Sequence, residues 1–136
     1  ALVRARKALD EMKASQELWI GGGFNKGGDF AKALALGADA IFVAFPLMVA
    51  MGCAYCRLCH LGKCPVGITT QDPELRKKLD TEAALHIANY IKNCTEEIKM
   101  IAGAVGKNNV HDLAREDLRA ISSEIAKITG VKFVGI

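Results

Sequence analysis

Cys53, Cys56, Cys59 and Cys64 fall within twelve residues, spaced C-x2-C-x2-C-x4-C-P. Thiolates this close together can wrap one cluster of iron and sulfide, whose irons are held by cysteine sulfur. Two other chemistries use the same residue type. Zinc also takes four thiolates, but usually from two short-spaced pairs across a longer gap, whereas here three cysteines recur at every third position and the fourth precedes Pro65. Disulfides between such near neighbours make poor bridges, and nothing else in the chain suggests secretion. The spacing favours iron–sulfur over both. Cys94, the fifth cysteine, falls at a core position of a helical pattern, where a thiol packs as a small hydrophobe.

The remaining residues must carry that loop. The 136 residues suffice for one domain with a core. The net charge of +3 is mild, with Lys and Arg interleaved with Asp and Glu, and only eight residues are aromatic. No nucleic-acid footprint and no base-stacking surface follow from that pattern. The first residues, Ala1 to Lys7, carry charges inside an apolar pattern and lead to no cleavage site, so they do not read as a signal peptide. The longest apolar run, 38–52, contains Asp39 and Pro46 and falls short of a membrane span. Reduced thiols, no targeting signal and no membrane segment together predict a soluble cytoplasmic protein.

Residues 1–14 read as an amphipathic helix with Leu2, Val3, Leu9 and Met12 on one face. Glu17 to Ile20 is a short apolar run delivering Gly21-Gly22-Gly23 into a loop, the pattern of a buried strand. A helix from about Asp29 to Leu36 follows, ended by Gly37. Ala40 to Phe45 reads as a second buried strand. Helix, strand, glycine loop, helix, strand is the order of a βα-repeat fold with parallel strands, so the class is α/β. Pro46 to Met51 fits a short helix leading into the cysteine loop, where Gly52, Gly62, Pro65 and Gly67 supply turns. Asp72-Pro73-Glu74 marks another helix start. From Thr81 a long helix is expected with Ala83, Ile87, Tyr90, Ile91, Cys94, Ile98, Ile101 and Val105 inward. His86 sits beside that stripe and is not taken as a ligand. After a loop with a capping Asn109, a last helix over 117–129 should turn Leu118, Ile121, Ile125 and Ile128 inward, before an extended tail at 131–134.

Three consecutive pieces resemble one family. Gly22-Gly23-Phe24 with Gly28-Asp29, then Ala33-Leu34-Ala35-Leu36-Gly37-Ala38, then Cys59-His-Leu-Gly-Lys-Cys64-Pro-Val-Gly-Ile-Thr-Thr-Gln-Asp72-Pro73 are similar to the end of the FMN-binding domain of glutamate synthase large subunits. The resemblance covers roughly residues 1–110, and the tail looks closest to archaeal members. It implies the C-terminal portion of a (β/α)8 TIM barrel. Residues 1–50 would be its last βα units, 51–72 an iron–sulfur loop, and 73–136 a closing helix with a helical tail. Two strands cannot close an eight-stranded barrel, so the chain is expected to be one part of a larger catalytic unit.

The resemblance further implies FMN, its phosphate held by the amides of Gly22, Gly23, Ala44 and Phe45. Related flavin barrels usually carry Asp where Gly21 stands and Arg where Asn25 stands. The first change removes a partner for the ribityl hydroxyls and the second a phosphate charge, which Lys26 partly replaces. The family's cluster is of the 3Fe-4S type with C-x5-C-x4-C ligands, which Cys53, Cys59 and Cys64 match. Cys56 is extra, and as a fourth ligand it would permit a 4Fe-4S cluster. Arg57, His60 and Lys63 are expected to raise the cluster potential.

The activity so implied is reductive transfer of the glutamine amide nitrogen to 2-oxoglutarate, with glutamate as product. No catalytic acid, base or nucleophile is recognisable in these residues. The implied partners are the rest of the FMN barrel, a glutaminase domain, and a reductase subunit or ferredoxin as electron donor. Three alternatives accompany this reading: the first is a stand-alone iron–sulfur electron-transfer subunit, and the second a related flavoprotein acting on another amine. A zinc-stabilised interaction module is the third.

Overall fold

A computed structural model describes residues 1–135. Its contacts divide the chain into two compact units, residues 1–42 with 94–136, and residues 43–93.

The first unit is built on two three-residue strands, β1 (Trp19–Gly21) and β2 (Ala40–Phe42). They pair in parallel, with Trp19 opposite Ala40, Ile20 opposite Ile41 and Gly21 opposite Phe42. Parallel pairing requires a crossover, and helix α2 (Gly27–Ala35) supplies it. Alternation along the strands sends Ile41 toward α2, where it packs on the cluster of Ala31, Leu34, Ala35, Ala102 and Leu113. Trp19 and Phe42 belong to the opposite set. Their rings meet with centroids 5.2 Å apart, yet they stay 53% and 60% exposed. Both strands were expected to be covered on each face; among the described residues only one face is covered.

Helix α1 (Leu2–Glu11) precedes β1 and buries no residue completely, so Leu2, Val3 and Leu9 are only half-covered and Met12 is exposed. Its tie to the sheet is polar. Asp39 accepts the Leu18 amide at 2.6 Å and the Arg6 guanidinium at 3.4 Å, and the Arg6 stem lies over Gly37, leaving no room there for a Cβ. Gly37 has φ +101° and follows the last turn of α2, the left-handed termination that glycine adopts without strain.

The long helix α5 (Ala83–Ala104) belongs to the second unit up to Asn93 and to the first from Cys94 onward. Cys94 and Ala102 are buried and Ile98 and Ile101 half-buried, whereas Ile91 and Val105 are exposed, so the buried face is narrower than the expected stripe. The last helix also differs. Residues 115–117 form a 3-10 turn, and α6 spans only Ser123–Thr129. Ala120 instead donates to the Lys132 carbonyl and accepts the Val134 amide, bridging it to Phe133 and keeping it out of a helix. The Ser122 hydroxyl then starts α6 by accepting the Ile125 amide at 3.1 Å. Ile121, Ile125 and Ile128 are exposed as a result.

In the second unit, α3 (Phe45–Ala50) carries Pro46 in its first turn, and α4 (Pro73–Arg76) is capped by Asp72. Between them runs the cysteine loop. Among the described residues no helix is long and apolar enough to cross a membrane.

Candidate metal centre

The loop begins where α3 ends, with the Gly52 amide bonded to the Val49 carbonyl and the Cys53 amide to that of Met48. Cys53 is half-buried, and its sulfur accepts the Tyr55 amide at 3.4 Å. Tyr55 and Arg57 both take positive φ, 52° and 57°, a conformation costing an L-residue about 1–2 kcal/mol. Side-chain contacts hold them there. The Tyr55 ring meets Phe45 edge-on at 5.0 Å, and the Arg57 guanidinium lies 4.6 Å from the Tyr55 centroid while donating to its hydroxyl. Cys56, between them, is exposed. Cys59 opens a 3-10 turn (Cys59–Leu61) that Gly62 closes at φ +65°, and it too is exposed.

Cys64 is different. It is 5% exposed, and the segment after it folds back so that backbone amides point at its sulfur. The Thr69 amide is the strongest of these influences; burial opposes it, and the Val66 and Ile68 amides reinforce it. Together they lower the thiol pKa to about 7, because N–H dipoles stabilise the thiolate. The fold-back depends on Gly67, at φ +79°, whose amide bonds to the Cys64 carbonyl at 3.2 Å. It also depends on a short pairing of Lys63 with Thr70, after which the Thr70 hydroxyl accepts the Asp72 amide. Asp72 in turn accepts the Glu74 and Leu75 amides, at 2.8 and 3.2 Å, fixing the start of α4.

The Thr69 hydroxyl lies close enough to favour the Cys64 thiolate, more weakly than the backbone amides do, but short of hydrogen-bond geometry. Its oxygen is buried and makes no hydrogen bond. Sequence reasoning did not single out Thr69 or the amides of Val66 and Ile68. The available signal was Pro65 and Gly67 bracketing a turn directly after a cysteine.

All five cysteines are free thiols, so no disulfide competes for them. Among the described residues, no three His, Cys, Asp or Glu side chains converge on the position of a single metal ion. The donor chemistry nevertheless suits a thiolate-held cluster. Four free thiols share one loop, one of them is stabilised as a thiolate, and a buried hydroxyl beside it lacks an acceptor. His60 is exposed, and His86 faces Asp80 at 3.4 Å on the surface.

The glycine loop belongs to the first unit. Gly22 and Gly23 follow β1 at φ 116° and 76°, and nothing lies within 4 Å of where a Cβ would stand on either. The Asn25 side chain donates to the Gly23 carbonyl at 3.0 Å, bracing the turn. A cavity of about 430 Å³ opens there, with Ile20, Phe24 and Leu36 among its walls. At the far end of the loop, the Gly27 amide donates to Glu97 at 2.8 Å, which starts α2 two residues before the expected Asp29. In the second unit, Ala44 is the N-cap of α3 at φ −125° and Phe45 its first residue. These positions offer backbone amides for an anion and no acid or base.

The fold and loop define an α/β chain with a pair of parallel strands and a thiol-rich segment. Residues 1–108 match the conserved region in glutamate synthase, and the chain belongs to that family. It is 38% identical to an archaeal glutamate synthase [NADPH] of Archaeoglobus fulgidus over 99% of its length, which is 27% of that protein. It is 43% identical to the corresponding protein of Methanocaldococcus jannaschii, covering 99% of this chain and 28% of the relative. A glutamate synthase large subunit-like protein of Rhizobium meliloti is 43% identical over 91% of this chain and 32% of its own. The chain thus spans between a quarter and a third of the length of these relatives.

Proposed function

We propose that this chain is part of a glutamate synthase, a cytoplasmic oxidoreductase that transfers the glutamine amide nitrogen to 2-oxoglutarate and reduces the adduct to glutamate. The observation that carries the reading is the seat of Cys64, a buried thiol turned toward thiolate by backbone amides, inside a chain whose relatives are named glutamate synthase. Cys53, Cys59 and Cys64 would hold a 3Fe-4S cluster, with Cys56 as the additional donor that would make it 4Fe-4S. The amides of Gly22, Gly23, Ala44 and Phe45 would bind the FMN phosphate. When bound, the flavin supplies the hydride and the cluster the electrons that reduce it.

The chain's own residues do three things in this scheme. Gly67 and the amides after Cys64 keep one sulfur ionised and out of water. Arg57, His60 and Lys63 place donors and positive charge around the loop, which favours the more negative, reduced cluster. The positive φ values of Gly22 and Gly23 leave backbone amides open to an anion without side-chain obstruction. Strands β1 and β2 would be the last two rungs of a (β/α)8 barrel, which accounts for the exposed Trp19 and Phe42 as a surface that further strands cover. The domain assignment follows: 1–50 barrel, 51–72 cluster loop, 73–136 closing helix and tail. The remaining barrel, a glutaminase domain and a reductase subunit or ferredoxin are the partners this function requires.

Visible absorption of the natural polypeptide carrying these residues, purified without oxygen, tests the reading. Flavin bands over a broad cluster absorption are expected. Cluster bands alone would favour an electron-transfer subunit, and a colourless protein holding zinc would overturn the redox reading altogether.

A further inference from the structure

The Thr69 hydroxyl is buried beside the Cys64 sulfur, near enough to favour the thiolate but short of a well-formed hydrogen bond. Burying an unpaired hydroxyl costs free energy, and native structures seldom carry one without a reason. The neighbouring polar groups explain why no partner is at hand. The Thr69 amide is directed at Cys64, the Thr70 hydroxyl is taken by the Asp72 amide, and the turn carbonyl of Cys64 is taken by Gly67. The group that the Thr69 hydroxyl does meet is the Cys64 sulfur, an acceptor once it is ionised. A hydroxyl is a donor as well as an acceptor, and a sulfide or thiolate bound to iron is an acceptor only.

We propose that Thr69 is a positioning and tuning residue, its hydroxyl donating a hydrogen bond to the sulfur of the cluster held through Cys64. The inference rests on the cluster reading above. Such a bond stabilises the reduced cluster more than the oxidised one, because reduction adds negative charge to the sulfurs, and so it raises the reduction potential. In the metal-free protein the same hydroxyl is buried against the Cys64 sulfur without completing a hydrogen bond, so its burial costs stability there.

The two roles have opposite signs, and one pair of variants separates them. Thr69→Val keeps the shape and removes the hydroxyl, while Thr69→Ser keeps the hydroxyl. Potentiometric titration of the natural polypeptide, followed by the EPR signal of the cluster, should give a lower potential for T69V and an unchanged one for T69S. The metal-free T69V protein should melt at the same temperature as the parent or higher. A cluster-loaded T69V protein with the parental potential overturns the role of Thr69 while leaving the cluster reading intact, as does a T69S shift as large as that of T69V. Absence of iron and sulfide from the parent protein overturns the cluster reading, and this inference with it. A fall in the melting temperature of metal-free T69V would make the hydroxyl an ordinary structural group.

Discussion

Replacing Gly67 with alanine tests how the Cys64 seat is built. Two separate costs arise at this position. An L-residue at φ +79° pays for the left-handed conformation, about 1–2 kcal/mol. The added Cβ would also stand 2.7 Å from the Leu75 carbonyl oxygen and 2.7 Å from the Leu79 nitrogen. Both are backbone atoms, one in α4 and one in the segment just after it, so relief requires moving the backbone, and overpacking of this kind costs about 1–3 kcal/mol. The expected loss is therefore about 2–5 kcal/mol, a large part of a typical domain's stability. Gly62 provides the internal control. It has φ +65° but nothing within 4 Å of its would-be Cβ, so Gly62→Ala should lose only the conformational cost of about 1–2 kcal/mol. Urea denaturation followed by circular dichroism measures both, and iron uptake on reconstitution should fall in G67A far more than in G62A. The reasoning is refuted if the two variants agree within about 0.5 kcal/mol, because the contact with α4 would then carry no weight.

In the metal-free protein, Cys64 should alkylate with a pH profile centred near its lowered pKa of about 7; a profile centred near 9 would contradict the amide seat. The folded-state pKa lies below the unfolded value, so ionisation of this thiol contributes stability that is complete above about pH 9.0 and lost as the pH falls through about 7. Asp72→Ala removes the acceptor of two α4 amides and should cost about 0.5–2 kcal/mol in urea melts, with Asp72→Asn close to the parent. Gly27→Ala would drive a Cβ to 2.6 Å from the Cys94 carbonyl oxygen and into Glu97, and should cost about 1–3 kcal/mol or more by the same assay; an unchanged midpoint would refute that close approach. If the charge on the cysteine loop tunes the cluster, Lys63→Ala should lower its potential in a redox titration, and an unmoved potential would remove Lys63 from the account.

What the sequence disclosed was whatever is settled locally. The two apolar runs become paired strands because a short, flat apolar segment bounded by glycine has few other ways to bury itself. Gly37 and the Asp72-Pro73 pair mark helix ends by their own backbone and capping chemistry. Readings that depended on distant residues fared worse. The early start of α2 comes from Glu97, seventy positions away in the chain. The continuous helix expected over 117–129 fails because Ala120 bridges to Phe133 and Ser122 offers a better helix start, so Ile121 ends 82% exposed. Period alone cannot reveal that competition. The same limit applies at the metal centre. The spacing of the cysteines identifies them as one donor set, but the seat of Cys64 is made by amides and a hydroxyl whose residue types carry no redox signature. It takes the fold-back around Gly67 to bring them to the sulfur.

The account stands on the claim that the loop from Cys53 to Cys64 binds iron and sulfide. Iron and acid-labile sulfide analysis of the natural polypeptide, isolated without oxygen, measures this directly when the parent is compared with Cys64→Ser and Cys94→Ser. The account predicts both elements in the parent and in C94S, and their loss from C64S. Iron and sulfide retained in full by C64S, or zinc in place of iron in the parent, would contradict it.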